Sequence, residues 1–268
     1  MTPGIYQISS EQYHHAPECD ALSAGGIKSL LQSPAHFKAS QENNGATPAM
    51  IFGSAAHSFI LQPELGEVIA LPADIDRRTK AGREAYEVFM TDARRFARIV
   101  ISQDELATLH EMREMLLQHE KARLLLKGGK AELSIFWNHP EYGYLCKCRP
   151  DYLREDLKVI VDYKTCIDAS PEGFGRAVYN FRYHNQAEWY RRGLKAQTGD
   201  DYEFVFVAQE KTPPYAVGVY RTTPEIFEIG KKENDRACWT YFECLESGIW
   251  CGYPDRIFEL ELPGWAYK

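Results

Sequence analysis

Arg149 to Lys164, RPDYLREDLKVIVDYK, has the pattern of a strand hairpin carrying an acid on each arm. Leu157, Val159 and Val161 alternate with Lys158, Ile160 and Asp162, which predicts a mostly buried strand over Leu157–Tyr163. At a period of two, Asp162 and Lys164 leave on the same side. Asp151 ends the preceding apolar segment, Tyr144–Tyr152. Pairing across Arg154, Glu155 and Asp156 brings Asp151 and Asp162 together at a sheet edge. Carboxylate oxygens suit Mg²⁺, and a lysine can orient or deprotonate a water. A surface hairpin with solvated charges is the plainer alternative, because a D-x-K triplet alone is common.

The flanking sequence extends this hairpin. Ala131–Trp137, with Glu132 near its start, predicts the first strand of a three-strand meander, and Asn138–Gly143 the turn. Downstream, Ser170-Pro171 caps a helix. A second helix from Tyr183 carries Gln186 and Tyr190 at i, i+4, hence on one face. Strands follow over Asp201–Gln209 and Tyr215–Tyr220, and Thr223-Pro224-Glu225 opens a helix running to Leu245.

Upstream, the first twenty residues show no clear period. Ser23 is a candidate N-cap for a helix bearing Ile27, Leu30 and Leu31, which Pro34 breaks or restarts. That N-terminus, with Lys28 nearby, suits an anion such as a terminal phosphate, and simple capping explains it equally. Gln41–Gly45 is a polar loop. Thr47-Pro48 opens a helix with an apolar face of Phe52, Ala56, Phe59 and Ile60, and His57 lies within it. Such a histidine is either a satisfied core residue or a metal ligand. Residues 64–80 form a loop, Thr79–Phe96 a charged helix, and Ser102–Glu105 a capping box starting a helix to Leu126. Leu106, Leu109, Met112, Met115 and Leu116 make its core stripe, and Gly128-Gly129 ends it. With no internal repeat, the chain is predicted to be one α/β domain over residues 1–268 with an N-terminal helical elaboration.

Hydrophobic residues make up 44% and charged residues 26%, as in ordinary globular proteins. No stretch approaches a membrane span and MTPGIYQISSEQYHH has no signal-peptide core, which predicts a cytoplasmic protein. Seven cysteines without a framework predict reduced thiols. Cys146 and Cys148 share one strand face as core thiols. Cys19, Cys238, Cys244 and Cys251 lack the tight C-x₂-C spacing common at iron–sulfur clusters. A net charge of −7 argues against broad polyanion binding, yet basic residues cluster locally, as at Arg77, Arg78, Lys80 and Arg83.

Taken in order, LSAGGIKSLLQSPAHF, FGSAAHSFILQPE, RRTKAGRE, AELSIFW, CKCRPDYL, VIVDYKT and YHNQAEWY resemble the PD-(D/E)XK nuclease superfamily. The likeness is greatest to its RecE-type exonuclease VIII branch, related to lambda exonuclease and the RecB nuclease domain. It covers most of the chain and is weakest over the last fifty residues. It implies a restriction-endonuclease-like central mixed β-sheet flanked by helices, with the active site at one sheet edge. It further implies Asp151, Asp162, His57 and the Tyr163 carbonyl as metal ligands, Lys164 as the catalytic lysine, and Glu132 in or near the metal shell. Gln186 and Tyr190 match a Q-x-x-x-Y motif that supports the site and its DNA strand, and Ser23 would help hold a 5′-phosphate. The second acid is Asp162 where many members carry Glu.

The activity so implied is Mg²⁺-dependent 5′-to-3′ digestion of one strand of linear duplex DNA, with Mn²⁺ a substitute. The implied assembly is a homo-oligomeric ring acting on duplex DNA with free ends, beside a RecT-like single-strand annealing protein, with no membrane involved. A Cas4-like nuclease of other polarity, an endonuclease of this fold, and a non-catalytic DNA-binding module are the alternatives.

Overall fold

The computed structural model describes residues 1–42 and 45–262. Asn43 and Asn44 of the predicted polar loop, and residues 263–268 of the single-domain span, lie outside these. In chain order the elements are β1 (Gly4–Tyr6), α1 (Ser10–His15), α2 (Ala24–Gln32), α3 (Pro34–Glu42), α4 (Pro48–Leu61), β2 (Val68–Ala70) and α5 (Lys80–Arg95). Next come β3 (Ile99–Ile101), α6 (Gln103–Gln118), α7 (Glu120–Leu125), β4 (Lys130–Ala131), β5 (Ser134–Asn138), β6 (Leu145–Cys148) and β7 (Tyr152–Arg154). The chain then runs through β8 (Val159–Cys166), α8 (Pro171–Asn180), α9 (Tyr183–Thr198), β9 (Glu203–Glu210), β10 (Val217–Arg221) and α10 (Pro224–Ser247).

The central sheet has the order β10-β9-β8-β7-β4, with β8 and β9 parallel and the other pairs antiparallel. It is therefore a mixed sheet flanked by helices, the restriction-endonuclease-like class. Strand alternation sorts β8 cleanly. Ile160 joins a core with Leu153, Phe204, Phe206, Trp189 of α9 and Cys238 of α10. Val161 and Tyr163 join the opposite core with Tyr152, Val207, Ala56 of α4 and Met112 of α6. A second sheet, β1-β5-β6, adjoins the first core.

Capping signals fall where the sequence places them. Ser23 accepts from Gly26 N, Thr47 precedes Pro48 at the first turn of α4, and Ser102 with Glu105 closes a capping box. Cys146 and Cys148 are both buried, and all seven cysteines are free.

Five of the predicted elements and loops need correction. Ala131–Trp137 is not one strand: it breaks at Glu132, whose φ of 55° turns the chain out of β4's sheet and into β5's. Tyr144–Tyr152 likewise divides at Arg149-Pro150-Asp151 into β6 and β7, since a proline cannot donate to a ladder. The meander is thus shared between two sheets. The helix predicted to reach Leu126 stops at Gln118, where His119 caps α7 with its own side chain. The predicted 64–80 loop contains β2, paired in parallel with β3, and α3 continues to Glu42.

Candidate active site

β8 lies in the middle of its sheet, which corrects the expected edge position, yet half of it is locally an edge. β7 pairs with Val159, Ile160 and Val161 only, whereas β9 accompanies β8 as far as Cys166. Past Val161 the β7 side of β8 is open. There the Tyr163 N–H donates to Asp151 Oδ2 at 2.8 Å, so the acid at the start of β7 takes the place of a ladder partner. The N–H and C=O of a strand residue leave on the same side, so the Tyr163 carbonyl faces this opening too.

Of the predicted residues, His57, Glu132, Asp151, Asp162, Lys164, Gln186 and Tyr190 come together around that opening from both faces of the sheet. On the α4 face, His57 Nδ1 stands 3.5 Å from Asp151 Oδ2, and its ring meets the Tyr163 ring edge-on at 5.5 Å. Glu132, in its left-handed turn, donates its own N–H to the Asp151 carbonyl at 3.1 Å. The ligand atoms of His57, Glu132 and Asp151 lie within 4.8 Å of one another. On the α9 face, the Lys164 ammonium is ion-paired with Asp162 Oδ1, and Gln186 Nε2 donates to Asp162 Oδ2 and to the Tyr190 hydroxyl, both at 2.9 Å. Asp162 thus engages Lys164 and Gln186, and it is not one of the three grouped ligands.

Charge in this site is costly. Burial lifts the Asp151 and Glu132 carboxyls above their usual range, Glu132 further by the neighbouring Asp151 charge, despite the opposing Arg149. Burial pushes Asp162 up to about 6 against the pull of Lys164. Burial and the Lys164 charge lower His57 to about 4, leaving a neutral imidazole at neutral pH. Burial alone would lower Lys164, but Asp162 and Asp151 outweigh it and hold the ammonium charged. Hard oxygen donors whose charge is unfavourable alone, together with a neutral imidazole, fit a divalent cation.

A family model described as "PDDEXK-like domain of unknown function (DUF3799)" matches residues 23–257. The chain belongs to this PDDEXK-like family. No curated protein matches it in sequence. Among solved structures, a "Putative exonuclease" from Eubacterium rectale is similar at 14% identity and a TM-score of 0.64, with 96% of this chain and 97% of that one covered. This likeness speaks to fold alone. A phage related exonuclease from Haemophilus somnus 129PT aligns at 12% identity over 86% of this chain and 97% of that one, with a TM-score of 0.35 too low to carry weight.

In this PDDEXK-like chain the site opens into a cleft of about 1430 Å³. His57, Glu132, Asp151 and Tyr190 line it, facing the N-terminal segment around Tyr13 and the start of α2 at Ser23. Ser23 is therefore both cap and cleft wall. Lys28 is not in the lining; its ammonium sits 5.8 Å from the centre of the Phe181 ring.

Three participants escaped the sequence reading. Arg149 places Nε 2.7 Å from Glu132 Oε2 and lines the cleft; its position two residues before Asp151 was the available signal. Lys147 donates to the carbonyls of Tyr13 and Cys19, at 2.9 and 2.8 Å, and so ties down the N-terminal segment. Tyr13 lies under both cations, 4.7 Å from the Lys147 ammonium and 5.5 Å from the Arg149 guanidinium. Among the described residues, the cysteines form no ligand group of three.

Proposed function

We propose that the chain is a single Mg²⁺-dependent exodeoxyribonuclease domain, with Mn²⁺ as a substitute. It would digest one strand of linear duplex DNA from the 5′ end, leaving 3′ single-stranded tails for recombination. The observation that carries this reading is the His57, Glu132 and Asp151 group at the wall of one cleft, with the Asp162–Lys164 ion pair on the adjoining strand β8. His57, Glu132 and Asp151, with Asp162 and the Tyr163 carbonyl beside them, would hold the cation. A divalent cation neutralises charge on a scissile phosphate and lowers the pKa of an attacking water.

The side chains supply the rest. The Tyr163 N–H fixes the rotamer of Asp151. Gln186 and Tyr190 hold Asp162 in line with Lys164. Lys164, kept charged by two acids, serves as a donor that orients the water and steadies the phosphoryl oxygens. Arg149 balances Glu132 and adds positive charge to the cleft. None of these groups reads a base, which suits digestion without sequence preference.

A ring of copies would let a protomer of net charge −7 hold duplex DNA in a channel lined by its basic residues. A RecT-like annealing protein in the cytoplasm would take up the tails. Among the described residues no helix is long and apolar enough to cross a membrane.

The test compares end-labelled linear duplex with closed circular DNA, with Mg²⁺ and with EDTA. Loss of 5′ label from the linear duplex, with Mg²⁺ only and with circles intact, is expected. Linearised circles would make the protein an endonuclease, and activity in EDTA would remove the metal.

A further inference from the structure

We propose that Gln209, on β9 and outside the cleft, is a positioning residue for the metal site and acts through Tyr163. The inference rests on the metal-site reading above.

Tyr163 touches two of the three grouped ligands. Its N–H holds Asp151 Oδ2 at 2.8 Å, and its ring supports the His57 ring edge-on at 5.5 Å. The position of that ring is fixed from its far end. Tyr163 is fully buried, and its hydroxyl donates to Gln209 Oε1 at 2.7 Å. Gln209 is equally buried, and its amide nitrogen donates to the carbonyls of Met112, at 2.7 Å, and Tyr215, at 3.4 Å. One side chain therefore ties the phenol to the middle of α6 and to the turn between β9 and β10.

A buried amide with both ends engaged has one orientation, because turning it over would set donor against donor. The phenol inherits that orientation and passes it to His57. Ligand-orienting groups behind metal sites act in this way, and their loss typically costs about 10-fold or more in metal affinity.

The experiment measures Mn²⁺ binding by calorimetry on wild type, Tyr163→Phe, Gln209→Met and the double variant, with urea unfolding in EDTA alongside. Tyr163→Phe keeps the ring against His57 and the N–H on Asp151 and removes only the hydroxyl. Each single variant is expected to bind Mn²⁺ about 10-fold more weakly. The double variant is expected to lose no more than either single, because one link is cut twice.

Wild-type Mn²⁺ affinity in Gln209→Met, whatever its urea midpoint, overturns the proposal and leaves Gln209 as core packing. If Gln209→Met does not fold, Tyr163→Phe decides on the same criterion. Asp151→Asn separates the two readings. Binding lost there and kept in Gln209→Met and Tyr163→Phe defeats this inference alone. A wild type that binds no Mn²⁺ defeats the metal site and this inference with it.

Discussion

The Gln186 amide donates to Asp162 Oδ2 across 2.9 Å, which fastens the acid of β8 to helix α9. The same nitrogen reaches the Tyr190 hydroxyl one turn along, also at 2.9 Å. Gln186 thus links Tyr190 to Asp162 in one hydrogen-bonded chain. Gln186→Ala removes a neutral donor from a buried carboxylate without unfolding the helix. Mg²⁺-dependent digestion is expected to fall roughly 10- to 100-fold, with the circular dichroism spectrum unchanged. Wild-type rates in that variant would take Gln186 out of the supporting shell.

Lys164 and Asp162 form an ion pair with a fully buried carboxylate and a partly buried ammonium, whose members depend on each other. Lys164→Met strands a carboxylate in the core and is expected to cost about 3 kcal/mol in urea unfolding without metal. Adding Asp162→Asn should restore much of that stability, since an uncharged pair strands nothing. Additive losses in the two single variants and the double would contradict the pairing.

The three acids give a pH dependence of unusual sign. With folded pKa values above the unfolded ones, Asp151, Glu132 and Asp162 keep protons that the unfolded chain has already released. Without metal, their contribution to stability is therefore full below the unfolded carboxyl pKa, roughly 4. It is lost as pH rises through the folded values, about 6 for Asp162. A cation requires the ionised acids, so its binding releases protons and strengthens as pH rises. Mg²⁺ is expected to raise the melting temperature more at pH 8.5 than at pH 6.0. Equal shifts at both pH values would refute the linkage.

Ser23 lines the cleft at the start of α2 while capping it. If a terminal phosphate sits there, linear duplex with 5′-phosphate ends should be digested faster than the same duplex with 5′-hydroxyl ends. Equal rates would leave Ser23 as a cap alone.

Much of this arrangement was legible because its signals are local. Alternation in β8 put Asp162 and Lys164 on one face, and the i, i+4 spacing put Gln186 beside Tyr190; both pairs are in contact. Other features depend on distant partners. Nothing local marks Glu132 for a positive φ; that conformation is stabilised by its bond to the Asp151 carbonyl and by the chain's passage between two sheets. Lys147 looks like an outward strand residue until the carbonyls of Tyr13 and Cys19 close over it. β2 and β3 are three residues each, too short for alternation to show. Pro150 did carry the signal for the β6–β7 break, and the apolar residues around it obscured that signal.

In the proposed function, the acids of this site hold a metal with which DNA is hydrolysed. The most direct test is release of labelled nucleotides from linear duplex in Mg²⁺ by wild type and by Asp162→Asn, which keeps the side chain's shape. Nucleotide release by the wild type, and its abolition in a variant whose circular dichroism spectrum matches that of wild type, is the expected result. Undiminished release by Asp162→Asn would contradict the account.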